Sequence, residues 1–338
     1  MKQHAVVLGD GTMAIALAAR IAKNGFQTVM WSERPGVVAS INDEHRHPHH
    51  FTSYTLPNEL SATESSERAL NGARLVIMAV KSERVAETAR LARDSFHRGS
   101  VMLSATKGVE IETYRFMSSV IREELKSDKV GIISGPNITT DIMEDAPTAI
   151  LVAAEDVDVI KAGRGHLESN SLKVFGSTDL KGIEALSVVK NIVAIAAGLA
   201  INLGDNARSY VISLGLSEIQ ALAKRLGARP ESSGGLADIG EVFLSSTSKH
   251  SRNHMIGVDI ANGAKLPDLL AALEAANETA EGVNAVFASK KLAEIAGIEM
   301  PLAECVYQIL YDGSPATETL RSFLSEKRAA KWLTASAA

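Results

Sequence analysis

A lysine within an apolar stretch is the first residue of this sequence whose surroundings are suited to chemistry. Lys190 follows Val188 and Val189 and is followed by Asn191 and a further apolar run. Burial lowers the pKa of an ammonium group, which can then exchange a proton with a substrate oxygen near neutral pH. A lysine whose stem lies along an apolar helix while its amine reaches water gives the same pattern. We therefore predict a general acid or base at Lys190, with the ordinary lysine as the alternative.

A short polar run, Ser251-Arg252-Asn253, could bind an anionic group. A guanidinium offers a planar fork of donors that matches phosphate oxygens, and the hydroxyl and amide add further hydrogen bonds. If a helix begins here, its free N–H groups contribute to the same anion site. The run predicts phosphate recognition, and a solvated helix start is the alternative.

A glycine-rich turn near the N terminus could bind a dinucleotide. Gly9 permits a tight turn, Gly11 lets the backbone approach a pyrophosphate, and Ala14 is small enough for a helix to pack close to a strand. An apolar run precedes the turn and a helical pattern follows it, which is the context that this motif requires. We expect Thr12 and Met13, at the start of that helix, to contact the cofactor as well. The alternative is a turn whose glycines serve the backbone alone.

Two charged residues at the end of the second predicted strand bear on which dinucleotide binds. Glu33 lies 22 residues beyond Gly11, where an acidic residue commonly accepts hydrogen bonds from the ribose hydroxyls of NAD. Arg34 beside it could instead bind the 2′-phosphate of NADP. The spacing slightly favours NAD. Two solvated loop charges without a role are the alternative.

The elements that must position these residues alternate between strand and helix in the first half of the chain. Helical patterns such as Met13 to Lys23 and Val85 to Asp94 separate short apolar runs. Such alternation predicts a parallel, doubly wound sheet with crossover helices, which is a Rossmann-like fold. The predicted strands are Ala5 to Leu8, Thr28 to Trp31, Leu75 to Val80, Ser100 to Ser104, Val130 to Ile133 and Ala149 to Ala153.

From about Leu180 the pattern changes to long stretches rich in alanine, leucine and isoleucine. We predict a dinucleotide-binding domain over residues 1–179 and an all-α domain for substrate binding and catalysis over residues 180–338. A homodimer is expected from the alanine and leucine content of the second domain. The predicted helices there include Lys181 to Leu203, Arg208 to Leu226, Leu266 to Ala276 and Asn284 to Ala296.

Composition excludes several classes of protein. With 46% hydrophobic residues the chain of 338 residues is not disordered as a whole, and a net charge of −5 argues against a nucleic-acid partner. The longest apolar stretch, Ile192 to Leu203, is shorter than the roughly 20 residues of a membrane span. A single cysteine, Cys305, excludes an intrachain disulfide and predicts a cytoplasmic protein.

Two other features are interpreted as structural. The histidine-rich segment from His45 to His50 is expected to be an exposed loop, and no metal site is predicted. Cys305 stands in an apolar helical pattern and is expected in the core.

Motifs along nearly the whole chain resemble the family of NAD(P)-dependent glycerol-3-phosphate dehydrogenases. That resemblance implies interconversion of dihydroxyacetone phosphate and sn-glycerol 3-phosphate, and a helical second domain like the C-terminal domain of 6-phosphogluconate dehydrogenase. The residues that carry it are Lys107-Gly108, Ser134-Gly135-Pro136-Asn137, Glu184, Lys190-Asn191, Gly204-Asp205-Asn206, the segment Gly235 to Glu241, Ser251-Arg252-Asn253 and Glu281-Gly282.

The resemblance also implies roles. Lys190 would transfer the proton, Glu241 would hold Lys190, and Lys107 would assist. The residues that would bind substrate are Lys107, Gly135, Asn137, Asn191, Ser245, Ser251, Arg252 and Asn253. Besides the glycine-rich turn, Glu33 and Arg34, the residues that would contact the cofactor are Lys107, Thr139, Arg252, Thr279 and Glu281.

The sequence departs from the family pattern at four positions. Glu241 replaces an aspartate and is one methylene longer, and Asp238 stands where glycine is preferred. Leu214 replaces an arginine, and Ser245 replaces a threonine but keeps the hydroxyl. We expect Asp238 to face solvent, although it could partly compensate for Glu241. These changes leave two alternatives open: a reductase of another small phosphorylated, phosphonate or carboxylated ketone, and a non-catalytic nucleotide-binding sensor.

Overall fold

The computed structural model describes residues 4–275 and 281–334. The backbone packs into two compact units, Met1–Leu180 and Lys181–Ala338. Each unit is described by itself below.

The first unit is built on an eight-stranded sheet. Its strands are β1 (His4–Leu8), β2 (Gln27–Trp31), β3 (Leu60–Thr63), β4 (Ala73–Met78), β5 (Val101–Ser104), β6 (Val130–Ser134), β7 (Thr148–Ala154) and β8 (Leu172–Ser177). The strand order is β3-β2-β1-β4-β5-β6-β7-β8. All neighbours run parallel except β6 and β7, which are antiparallel. The predicted Rossmann-like sheet is therefore confirmed, with one antiparallel pair.

The two outermost strands, β3 and β8, were not predicted from the sequence. The four residues of β3 alternate polar and apolar side chains, and only two of them are buried. In β8, half of the six residues are exposed, including Phe175. Edge strands lack a neighbour on one side, so their hydrophobic pattern is weaker than that of a central strand.

Helices cover both faces of the sheet. They are α1 (Thr12–Lys23), α2 (Pro35–Glu44), α3 (Ser66–Leu70), α4 (Val85–Ala92), α5 (Met117–Leu125), α6 (Thr139–Met143) and α7 (Val157–Leu167). Ala5 and Val7 of β1 join one buried apolar cluster, whereas Val6 and Leu8 join another. The central strand is therefore buried on both sides, which explains why it reads as a continuous apolar run.

The regular elements described in the second unit are helices, which confirms the predicted all-α domain. They are α8 (Leu180–Val188), α9 (Lys190–Leu199), α10 (Asp205–Arg225), a π-turn (Leu236–Gly240), α11 (Glu241–Thr247), α12 (Arg252–Ala261), α13 (Leu266–Ala275), α14 (Glu281–Ala296), α15 (Pro301–Tyr311), α16 (Ala316–Ser325) and α17 (Lys327–Thr334), with short 3₁₀ turns between some of them. The single long helix predicted from residue 181 to 203 is interrupted at Val189, so Lys190 begins a new helix.

The centre of this unit is the contact between α9 and α12. A Cβ atom at Gly198 would lie 2.2 Å from the carbonyl oxygen of His254, and one at Gly257 would lie 2.1 Å from that of Ile195. The two glycines therefore let the helix backbones touch. Since Lys190 begins α9 and Arg252 begins α12, this contact fixes the separation of the two helices that carry the proposed catalytic and phosphate-binding residues.

The stretch from α8 through α9, Leu180–Leu199, has the length and composition of a membrane-crossing helix, with a mean hydropathy of 1.6. The apolar stretch named from the sequence is shorter because it begins after the polar pair Lys190 and Asn191. All of the apolar window is buried inside the protein, as in the core helix of a globular unit.

Candidate active site

The glycine-rich loop has the geometry that a dinucleotide requires. Gly9 has a φ of +120°, and a Cβ there would lie 2.5 Å from the carbonyl oxygen of Ala79, so only glycine fits. A Cβ at Gly11 would meet no atom within 4 Å, which leaves open space beside the backbone. Gly11 is the N-cap of α1, whose first turn has no side-chain cap and no acidic residue. The first N–H groups of α1, including those of Thr12 and Met13, are therefore suited to bind a pyrophosphate.

Strand direction brings further predicted residues to the same edge of the sheet. β1, β4, β5 and β6 run parallel, so the segments after them leave from one edge. Lys107 follows β5 and Asn137 follows β6, and the Nζ of Lys107 donates to the Oδ1 of Asn137 over 3.2 Å. Gly135 has a φ of +96° in the turn between β6 and Asn137, and Thr139 begins α6. The strand order also reverses between β1 and β4, where doubly wound sheets bind their ligands.

Both charged residues that bear on cofactor choice are paired in the structure. The carboxylate of Glu33 accepts two hydrogen bonds from the Nη2 of Arg84, at 3.0 and 3.1 Å. The Nε of Arg34 donates to the Oδ2 of Asp10 over 2.8 Å. Both residues are therefore ion-paired while their side chains remain partly exposed, at 50% for Glu33 and 36% for Arg34.

In the second unit, the predicted acid or base forms a buried ion pair. The Nζ of Lys190 donates to the Oε2 of Glu241, and the two side chains are 8% and 2% exposed. The additional methylene of Glu241 therefore does not prevent contact with the lysine. The paired carboxylate stabilises the ammonium form, which desolvation alone would destabilise. An ordinary surface lysine is thus excluded at this position.

The π-turn that leads into Glu241 is held by Asp238, which is not exposed to solvent as we expected. Asp238 is fully buried, and its carboxylate accepts hydrogen bonds from the backbone N–H groups of Gly234 and Gly235 at 2.7 and 2.8 Å. It also accepts one from the Nε2 of Gln220 at 2.9 Å. The expectation failed because these donors compensate for the burial of a charge. Asp238 therefore fixes the turn from which Glu241 emerges.

Polar groups predicted to bind substrate converge at the start of α12. The Oγ of Ser251 caps the helix by accepting from the N–H of His254 at 3.3 Å. The Oδ1 of Asn253 accepts from the N–H of Gly282 at 3.1 Å. A Cβ at Gly282 would collide with Asn253 and would lie 3.1 Å from the Cβ of Asn191, so both asparagines pack closely against this glycine.

Arg252 begins α12 and is exposed. Within residues 4–275 and 281–334, its guanidinium has no hydrogen-bond or ion-pair partner, so its donors face solvent. An exposed guanidinium at a helix N terminus is well suited to an anionic ligand.

The remaining predicted residues of this unit differ in their surroundings. The Oγ of Ser245 donates to the carbonyl oxygen of Glu241 at 2.6 Å, so the hydroxyl proton is directed to the backbone and only its lone pairs can accept. Leu214 is buried and packs within the core. Glu281 begins α14. Thr279 lies outside the described residues.

The histidine-rich segment is not wholly exposed, which corrects the sequence expectation. His47 is 1% exposed, and its Nδ1 accepts hydrogen bonds from the backbone N–H groups of His49 and His50. Burial, reinforced by the neighbouring His50, lowers the pKa of His47 to about 4. Among the described residues, no group of three histidine, cysteine or acidic side chains is arranged to hold a metal ion. Cys305 is buried as expected, and burial raises the pKa of its thiol to about 12.

Sequence reasoning missed several contributors to these sites. Asp10 lies between two glycines, and its partner Arg34 is 24 residues away, so no local pattern joins them. Arg84 and Gln220 bind residues 51 and 18 positions away, respectively. One contributor did have a signal in the sequence. Gly282 follows the predicted site residue Glu281, and a glycine at such a position indicates that another residue packs closely against its backbone.

Comparison with known proteins matches both halves of the chain. The family model of the N terminus of NAD-dependent glycerol-3-phosphate dehydrogenase matches residues 4–160, and that of its C terminus matches residues 179–321. A glycerol-3-phosphate dehydrogenase (NAD(P)+) from Alcanivorax borkumensis is 32% identical over 96% of this chain and 94% of its own length. One from Thermobifida fusca is 34% identical over 94% of this chain and 96% of its own length.

A solved structure agrees with these matches. The crystal structure of glycerol-3-phosphate dehydrogenase from Coxiella burnetii is 27% identical, with a TM-score of 0.89 over 96% of this chain and 100% of that chain. The resemblance inferred from the sequence motifs is thereby confirmed. The chain belongs to the family of NAD-dependent glycerol-3-phosphate dehydrogenases.

Proposed function

We propose that this protein interconverts dihydroxyacetone phosphate and sn-glycerol 3-phosphate with a nicotinamide dinucleotide as the second substrate. It is an NAD(P)-dependent oxidoreductase that acts on a CH–OH group, as membership of the family and the names of its relatives support. The single observation that carries the proposal is the buried ion pair of Lys190 with Glu241. Burying two charges in a helical core is costly, and a buried ionisable group with a specific charge partner is a candidate for a functional site.

The two parts of the chain have different tasks in this proposal. Residues 1–179 bind the dinucleotide, and residues 180–338 bind the substrate and carry the catalytic lysine. The pyrophosphate is held by the loop from Gly9 to Gly11 and by the N–H groups of Thr12 and Met13. The other residues that hold the cofactor are Glu33, Arg34, Lys107, Thr139, Arg252, Thr279 and Glu281. When bound, the nicotinamide supplies the hydride for reduction of the carbonyl carbon.

Lys190 supplies the proton. Its ammonium group donates to the carbonyl oxygen as negative charge develops there, and in the reverse direction the neutral amine accepts the hydroxyl proton. Glu241 maintains the ammonium form and its position by accepting a hydrogen bond from Nζ. Asp238 is fully buried and acts through the turn that carries Glu241, as a positioning residue.

Substrate oxygens are bound by neutral and cationic donors. Arg252 and Ser251 bind the phosphate at the N terminus of α12, and the amides of Asn191 and Asn253 orient the remaining oxygens. On the first unit, Lys107 assists as a cation, and Asn137 positions it through the 3.2 Å hydrogen bond. Gly135 and Ser245 complete the set of proposed substrate residues.

A preference for NAD over NADP is part of the proposal. The Glu33 side chain is 50% exposed beside its partner Arg84, so its carboxylate retains acceptor capacity for the ribose hydroxyls. We further propose a homodimer in the cytoplasm, without a nucleic-acid partner. Sedimentation equilibrium of the purified protein tests the oligomeric state, because a monomer mass would contradict it.

Oxidation of NADH and NADPH in the presence of dihydroxyacetone phosphate tests the activity. We expect turnover in the wild type, a loss of about 100-fold or more in Lys190→Met, and no loss in Lys265→Met, which changes an exposed lysine. A phosphonate analogue and a 2-keto acid serve as alternative substrates. Turnover of those alone would indicate another ketone reductase, and tight cofactor binding without any turnover would indicate a sensor; either result contradicts the proposal.

A further inference from the structure

The glycine-rich loop carries an acidic side chain where a dinucleotide phosphate must approach. Asp10 lies between Gly9 and Gly11, directly before the N terminus of α1. An uncompensated carboxylate at this position would repel a pyrophosphate. A pyrophosphate can therefore approach this loop only if the charge of Asp10 is compensated.

The compensation comes from the residues after β2. The Nε of Arg34 donates to the Oδ2 of Asp10 over 2.8 Å, and the Oγ of Ser32 donates to the same oxygen. Ser32 in turn accepts from the backbone N–H of Arg34 at 3.1 Å, so the three residues form one network. The Asp10 side chain is 20% exposed and that of Arg34 is 36% exposed, so solvent screens the pair only in part.

Asp10 is ionised at neutral pH. Burial raises the pKa of its carboxyl, but the hydrogen bonds from Arg34 and Ser32 outweigh this effect, and the net pKa lies below its ordinary value. The ion pair is therefore present under the conditions in which the cofactor binds.

The neighbouring charges leave no excess cation either. Arg84 is paired with both Glu33 and Glu87. His47, whose ring is within reach of the charges of Asp10 and Arg34, is neutral because its pKa is about 4. Across these six side chains, three carboxylates face two guanidinium groups. A 2′-phosphate would bring about −1.5 to −2 charges to this cluster, which holds no excess positive charge to receive them.

We propose that Asp10 determines cofactor specificity: by pairing with Arg34 it neutralises the guanidinium that a 2′-phosphate would need, and it thereby makes the protein select NAD over NADP. This inference rests on the proposed function, because it assigns a role within the proposed dinucleotide site. Asp10 acts through Arg34 and is a specificity-determining residue rather than a catalytic one.

Equilibrium binding of NADH and NADPH to the full chain tests the inference without reference to turnover. Both dissociation constants are measured by quenching of cofactor fluorescence in the wild type and in Asp10→Asn, which preserves the shape and removes the charge. We expect the wild type to bind NADH more tightly. Asp10→Asn should tighten NADPH binding about tenfold relative to NADH, because Arg34 gains an uncompensated charge. Asp43→Asn, which removes an exposed carboxylate on α2, should leave the ratio of the NADPH and NADH dissociation constants unaltered.

A double-mutant cycle separates this role from a structural one. Arg34→Gln should weaken the binding of both cofactors several-fold, because Asp10 is then left unpaired beside the phosphates, and Asp10→Asn in that background should restore NADH binding. Equal effects of Asp10→Asn on NADH and NADPH, or tighter binding of NADPH by the wild type, would overturn the inference. If neither cofactor binds the folded wild type, the proposed function fails as well. If dihydroxyacetone phosphate is reduced but Asp10→Asn leaves the ratio of the NADPH and NADH dissociation constants unchanged, only this inference fails.

Discussion

The ion pair between Lys190 and Glu241 allows a quantitative prediction about stability. Both side chains are more than nine-tenths buried, so removal of one partner leaves the other charge without compensation in the core. Breaking such a pair costs about 3–5 kcal/mol, whereas replacing both members costs little. We expect Glu241→Met and Lys190→Met each to destabilise the fold by about that amount, and the double variant, in which both charges are replaced by apolar side chains of similar volume, to recover most of the loss.

Differential scanning calorimetry at pH 7 measures this cycle. For a unit of this size, 1 kcal/mol corresponds to about 2–4 °C, so each single variant should unfold about 6–20 °C below the wild type. The exposed pair Lys291 and Glu294, joined at 2.7 Å, is the matched control, and its removal should shift the midpoint by less than about 2 °C. The reasoning fails if the single variants lose less than about 1 kcal/mol, or if the double variant loses the sum of both.

Three further predictions concern other parts of the chain. Burial lowers the pKa of His47 to about 4 from an ordinary 6.5, so the stability it confers is complete above about pH 6.5 and is lost as the pH falls towards 4, by up to about 3 kcal/mol. The free energy of unfolding in urea should depend less on pH in the acid range in His47→Asn than in the wild type, and the exposed control His49→Asn should behave like the wild type. The same pH dependence in all three proteins would contradict the lowered pKa of His47. The Cys305 thiol, buried and with a pKa of about 12, should react with Ellman's reagent at pH 8 only after unfolding, and labelling of the native protein would refute its burial. Gly198→Ala should lower the free energy of unfolding by about 3 kcal/mol, because the added Cβ clashes with the backbone of α12. The control Gly165→Ala in α7, where the added Cβ meets open space, should be neutral or stabilising in thermal unfolding. A neutral Gly198→Ala would show that the two helices can separate without loss of stability.

The central part of the fold could be predicted from the sequence because local pattern and tertiary burial agree there. β1 is buried on both faces and is followed by Gly9 and α1, so apolar run, turn and helix all indicate the same structure. The edge strands β3 and β8 could not be predicted, since their burial depends on a single neighbour. The break at Val189 also gives no local signal, because neither Val188 before it nor Lys190 after it is a residue that ends a helix.

In the candidate site as well, features with a local sequence signal could be predicted, and features that depend on distant residues could not. The helix start at Ser251 could be predicted because its signal is local: a serine N-cap whose hydroxyl accepts from the N–H three residues later. Asp238 and His47 were wrongly expected to be exposed. Their burial depends on backbone donors that only the folded turn presents to them, and the sequence does not show where those donors point. Pairs such as Asp10 with Arg34 depend on the neighbouring placement of β1 and β2.

The central claim is that this chain moves a hydride to the carbonyl carbon of dihydroxyacetone phosphate while Lys190 protonates the oxygen. A single-turnover reaction with NADH dideuterated at C4, analysed by mass spectrometry and NMR, tests that claim directly. The account predicts glycerol 3-phosphate with one deuterium at C2, appearing at least about 100-fold more slowly in Lys190→Met. Failure of deuterium to reach C2 of the product, or a Lys190→Met variant as fast as the wild type, would contradict it.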